Sequence, residues 1–102
     1  MYKFLPWHKS PLANDYSKAL EQYTKAIELN VSDNKKAAIY YANRAFVQIK
    51  LENYGFAIED SDEAIKKDPS YAKGYYRKGS ALFALGKYKN SLAMFKRVTT
   101  IR

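Results

Sequence analysis

Residues 72–98 read AKGYYRKGSALFALGKYKNSLAMFKRV. One helical pattern runs into a Leu85-Gly86-Lys87 turn, and a second follows it. Tyr75, Tyr76, Leu82 and Leu85 recur at helical spacings in the first half, and Tyr88, Leu92, Phe95 and Val98 at steps of four and three in the second. Both periods are those of a helix and not of a strand. Neither half can bury its stripe alone, so the unit is a helical hairpin that must stack on something similar.

The chain supplies that neighbour upstream. Residues 15–30, DYSKALEQYTKAIELN, carry Tyr16, Ala19, Leu20, Tyr23, Ala26 and Ile27 on one stripe, with Asn14 or Asp15 as a cap. A polar loop at 31–36 offers Ser32 or Asp33 as the next cap. Residues 35–51 form a second helix with Ile39, Tyr40, Ala42, Ala45, Phe46 and Ile49 apolar. An Asn53-centred turn leads to a third over 54–67, which Asp68-Pro69 stops. The Ser70 region then caps a fourth helix over about 70–85, and a fifth spans about 88–101.

Residues 1–13, MYKFLPWHKSPLA, break the pattern. Pro6 and Pro11 discourage a helix across themselves, so an irregular arm is expected there. Met1–Leu5 is too short to act as a signal peptide. His8 is the only histidine and, with no cysteine, cannot anchor a metal.

The helices repeat. Tyr41 and Tyr75, Asn43 and Arg77, Ala45 and Gly79, Tyr54 and Tyr88, and Ala57 and Ser91 are each 34 apart. Small residues at Ala45, Ala57, Gly79 and Ser91 let paired helices approach closely. A 34-residue helix-turn-helix period resembles the tetratricopeptide repeat. The expected fold is therefore all-α, a tetratricopeptide solenoid of about two and a half repeats after an arm at 1–13. The repeat domain runs over 14–102: the second helix of repeat one at 15–30, repeat two at 35–68, and repeat three at 70–101. Solenoids need capped ends and roughly three repeats, so raw ends suggest a piece of a larger protein. They also leave homodimerisation through those ends open.

In such a stack the first helix of each pair lines the concave side. Lys73 and Arg77, four apart, share one helix face. Asn43 holds the repeat position of Arg77 and should point into the same groove. A guanidinium, an ammonium and an amide together suit a carboxylate, and capture of a peptide C-terminus is an established recognition mode.

At IYYANRA and YAKGYYRKG the chain resembles the carboxylate-clamp tetratricopeptide domains. Within that group it resembles the regulatory domain of a serine/threonine protein phosphatase. The resemblance covers about residues 14–100. It implies a non-catalytic domain that binds the acidic EEVD tail of a heat-shock chaperone of the 90-kDa or 70-kDa class, and an autoinhibitory role beside a catalytic domain. It assigns Asn43, Lys73 and Arg77 to peptide-carboxylate binding. The clamp's two remaining members would fall near Phe4 and His8, where the residue types differ, or the first Asn at Asn14 in a gapped reading. This leaves half a clamp by residue type.

Composition narrows the rest. The chain has 102 residues, 47% of them apolar, with 10 Tyr and a net charge of +8. That length holds one domain, and no apolar run is long enough to span a membrane. An anionic partner is implied. Nucleic acid is the weaker candidate, because Tyr16, Tyr23, Tyr41, Tyr54, Tyr75 and Tyr88 all have packing positions in the repeat. No cofactor motif or nucleophile-base pair is present, and the acidic cluster Glu59, Asp60, Asp62 and Glu63 reads as a solvated outer face. The alternatives to chaperone-tail binding are a tetratricopeptide scaffold with another ligand and a self-associating unit. Absence of cysteine is compatible with a reducing compartment, and a cytoplasmic location is the expectation, with the nucleus second.

Overall fold

The computed structural model describes residues 10–29 and 32–101, the first five as backbone. Five helices follow in order: α1 Ser10–Leu29, α2 Asn34–Lys50, α3 Tyr54–Lys67, α4 Ala72–Ala84 and α5 Tyr88–Thr100. Each helix packs on the next, and α2 also packs on α4. That extra contact skips α3 and is the mark of stacked hairpins, the first helices of consecutive pairs lying side by side. The described residues contain no strand.

The turns follow from local chemistry. Asp33 is extended and accepts a bond from the Lys36 amide at 3.2 Å, which satisfies one free donor at the start of α2. After α2, Glu52 takes a left-handed φ of 63°, and the Asn53 amide returns to the Gln48 carbonyl at 2.7 Å. Gly86, at φ 82°, does the same work after α4, with the Lys87 amide reaching the Leu82 carbonyl at 2.9 Å.

Small residues form the core, as the repeat requires. Ala45, Ala57 and Ala81 make a buried cluster against which Ile49, Tyr54 and Ile58 pack. A Cβ on Gly79 would come within 2.6 Å of the Phe95 ring, and the buried Ser91 hydroxyl donates to the Gly79 carbonyl at 2.9 Å. Helices α4 and α5 therefore touch almost backbone to backbone.

Four expectations are corrected. The helix expected from residue 15 begins at Ser10, so residues 10–13 leave the expected arm. Pro11 sits in the first turn, where its missing N–H is not needed; the arm's residues 1–9 lie outside the described residues. Ser70 does not cap α4. Its amide and hydroxyl both go to the Asp68 carboxylate, at 3.1 and 2.7 Å, closing a turn around Pro69, and α4 starts after Tyr71 without a side-chain cap. Asp60 is no outer-face residue: it is buried between α3 and α2 against Arg44. Finally, Tyr88 and Leu92 are exposed where a packed stripe was expected, because no described helix lies against that side of α5.

Candidate functional site

At the candidate site α2 and α4 meet where Arg77 lies against Phe46. Lys73 stands exposed in the first turn of α4, and Arg77 lies one turn further on, half-buried. Asn43 is half-buried on α2, one turn before Phe46. Phe46 links the two helices: the Arg77 guanidinium carbon sits 4.6 Å from its ring centroid. Tyr76 approaches the same guanidinium at 5.3 Å, and Lys50 reaches the Phe46 ring at 5.4 Å. The Tyr16 ring of α1 meets Phe46 edge-on, with centroids 6.5 Å apart.

Arg77 is thus held by aromatic faces rather than by an acid. It forms no ion pair among the described residues, and its buried Nε has no hydrogen-bond partner there. Desolvation by burial pulls its pKa below the usual guanidinium value. It remains charged at any ordinary pH, because even a lowered guanidinium titrates far above neutrality. A half-desolvated cation with a free donor binds an incoming carboxylate more strongly than a fully hydrated one would.

Arg44 shows what the alternative looks like. It grips Asp60 through two parallel bonds, Nε to Oδ2 at 2.9 Å and an Nη to Oδ1 at 2.7 Å, and donates to Thr24 Oγ1 at 3.2 Å. Its pKa is raised, first by the Asp60 hydrogen bond. These bonds tie α1, α2 and α3 together and commit the Arg44 charge to Asp60. Of the two arginines, only Arg77 lacks a carboxylate partner among the described residues.

Phe46 and Lys50 were not legible as site residues from sequence. Phe46 read as core, although its spacing of three from Asn43 and four from Lys50 places all three on one face of α2. Asn14, the gapped candidate for a further clamp position, lies in the second turn of α1. His8 and Phe4 lie outside the described residues.

Residues 72–102 match the family model described as tetratricopeptide repeat. Over 90 residues, 88% of this chain, the sequence is 41% identical to serine/threonine-protein phosphatase 5 of Homo sapiens. It is 40% identical over 94 residues, 92% of the chain, to small glutamine-rich tetratricopeptide repeat-containing protein 2 of Saccharomyces cerevisiae. The chain spans only 17% of the human phosphatase and 26% of the yeast protein. Among solved structures it is similar to the second TPR domain of Spaghetti (RPAP3) bound to the HSP90 peptide SRMEEVD. That match has 31% identity and a TM-score of 0.77, and covers 90% of this chain and 87% of the other. It is also similar to the TPR2B domain of yeast Sti1 in complex with an Hsp70 peptide. Here identity is 32% and the TM-score 0.78, covering 87% of this chain and 68% of that one.

Proposed function

The chain belongs to the tetratricopeptide repeat family, and on that footing we propose that its α2–α4 groove binds an acidic C-terminal peptide of the EEVD type. The observation that carries this reading is Arg77, stacked on Phe46 with an unpartnered donor and no ion pair among the described residues. In this reading Lys73 and Arg77 hold the terminal and side-chain carboxylates, and Asn43 pairs with the peptide backbone. The partner is a heat-shock chaperone of the HSP90 or HSP70 class, since neighbours of similar fold hold peptides from both. The domain is a non-catalytic binding unit. Regulation of a serine/threonine phosphatase, and a cytoplasmic or nuclear location, belong to the same proposal.

Charge-assisted contacts contribute about 1.5–3 kcal/mol each. Asn43 is neutral and Lys73 exposed, so the sum stays near the lower end, about 4–5.5 kcal/mol, and the expected Kd lies at about a hundred micromolar to a millimolar. Calorimetric titration with a free EEVD peptide tests it. Arg77→Ala should abolish measurable binding while helicity stays unchanged, because the residue lies on the groove surface. Glu59→Ala, on an exposed part of α3, should bind as the parent does. Undiminished binding by Arg77→Ala would overturn the assignment.

A further inference from the structure

The second helices of the pairs frame furrows that are separate from the groove. Helices α3 and α5 both pack on α4 but not on each other, and α1 and α3 stand in the same relation across α2. Two furrows result, with α2 and α4 as their floors.

Arg44 closes the first furrow. From α2 it donates to Thr24 of α1 on one wall and grips Asp60 of α3 on the other. Its repeat counterpart, 34 residues later on α4, is Lys78. Lys78 keeps the first arm, its Nζ meeting Asp62 of α3 at 2.7 Å. Asp62 follows Thr24 by 38 residues, the offset that also relates Tyr16 to Tyr54 and Ala19 to Ala57. The second arm is missing, because the counterpart of Asp60 is Met94.

Space and positive charge stand in its place. Lys78 and Leu82 of α4 line an open cavity of about 420 Å³ with Lys87, Asn90, Ala93 and Met94. Since Lys78 reaches back to α3, the cavity lies on the side of the α4–α5 hairpin turned toward the preceding one. Ala93 is the counterpart of Glu59, so this wall has lost both acids of its predecessor. Lys87, the counterpart of Asn53, adds a cation that is exposed and forms no ion pair among the described residues. No residue from 69 to 102 is acidic, so nothing on the α5 wall neutralises it.

We propose that this furrow binds an acidic segment of a partner protein, with a glutamate where the preceding furrow holds Asp60. Its carboxylate lies between Lys78 and Lys87, and its methylene groups lie on Leu82, Ala93 and Met94. The apolar half of the lining disfavours a phosphate, whose oxygens need polar partners on every side. Recognition requires a side-chain carboxylate and no free C-terminus, unlike recognition in the groove.

A capped peptide tests this. The probe is a labelled segment of about ten residues, long enough when extended to cross the furrow. It carries a Glu-Glu pair among Leu and Ala, acetylated and amidated so that it offers the groove no terminal carboxylate. Its twin has Gln for both Glu. Fluorescence anisotropy with the intact chain should show saturable binding of the acidic probe, with the Gln twin at least about tenfold weaker. Lys87→Glu should weaken the acidic probe by a similar factor. Lys89→Glu, the same charge change outside the cavity lining, should leave it within about twofold. Met94→Asp restores a carboxylate at the place of Asp60; it should fill the site from within and abolish binding while the melting temperature is kept or raised. Equal binding of the two probes, or no saturable binding of either, would overturn the proposal. Equal losses in Lys87→Glu and Lys89→Glu would do the same, since attraction would then be diffuse. So would displacement of the probe by equimolar inorganic phosphate, which would make this a phosphate site.

Discussion

Arg77 sits against Phe46 and Tyr76 with its Nε unpartnered among the described residues, and the platform matters as much as the charge. Arg77→Lys keeps the cation but loses the planar fork and most of the stacking. Peptide affinity should fall about tenfold, which calorimetry would register as 1.4 kcal/mol. Phe46→Leu should weaken binding by several-fold without unfolding the chain, since cation–π contacts contribute roughly 0.5–2 kcal/mol. At Gly79 a methyl group would meet the Phe95 ring at 2.6 Å. Gly79→Ala should therefore cost about 1–3 kcal/mol, read as a lowered urea midpoint. The tight packing at Gly79 was legible because the 34-residue period pairs it with Ala45, as it pairs Arg77 with Asn43. Phe46 and Lys50 were not, because an aromatic on an amphipathic stripe reads as core until a cation is seen lying on it.

At the scale of the helices, the fastening contacts are polar. The Arg44–Asp60 pair is bidentate and largely buried, with side-chain exposures of 21 and 7%. Asp60→Ala leaves Arg44 buried and uncompensated, so the loss should be near the lower end of ~3–5 kcal/mol, given that Arg44 keeps some solvent. Thermal unfolding should register this as a drop of more than about ten degrees. The turn after α3 responds to acid. The two Ser70 bonds hold the Asp68 carboxyl below the usual carboxylate range. Protonation is thereby harder in the folded state, so the stabilisation is present above the ordinary carboxylate pKa and lost as pH falls through the lowered value. Asp68→Ala should accordingly be less stable than the parent at pH 7. Chemical denaturation should show that deficit shrinking as pH falls below about 4. Helix ends were the least legible part of the sequence. Pro11 looked like a breaker because nothing local says that it falls in a first turn. Ser70 looked like a cap because its capture by Asp68 depends on the turn geometry around Pro69. Asp60 looked solvated because its partner lies 16 residues back.

For the whole molecule, residues 1–68 carry ten basic and ten acidic side chains and no net charge, while residues 69–102 carry +8. That asymmetry lies over both the groove wall formed by α4 and the furrow wall formed by α5. The fold was legible because five helices and their small-residue contacts obey one period. The bareness of Tyr88 and Leu92 was not, since a stripe shows that a surface wants covering and not whether anything covers it. The central claim is that the groove recognises a free carboxyl terminus. Its most direct measurement is a paired calorimetric titration with one EEVD peptide, once with a free C-terminus and once amidated. The account predicts saturable binding of the free peptide and at least about tenfold weaker binding of the amide. Equal affinity for the two would contradict it.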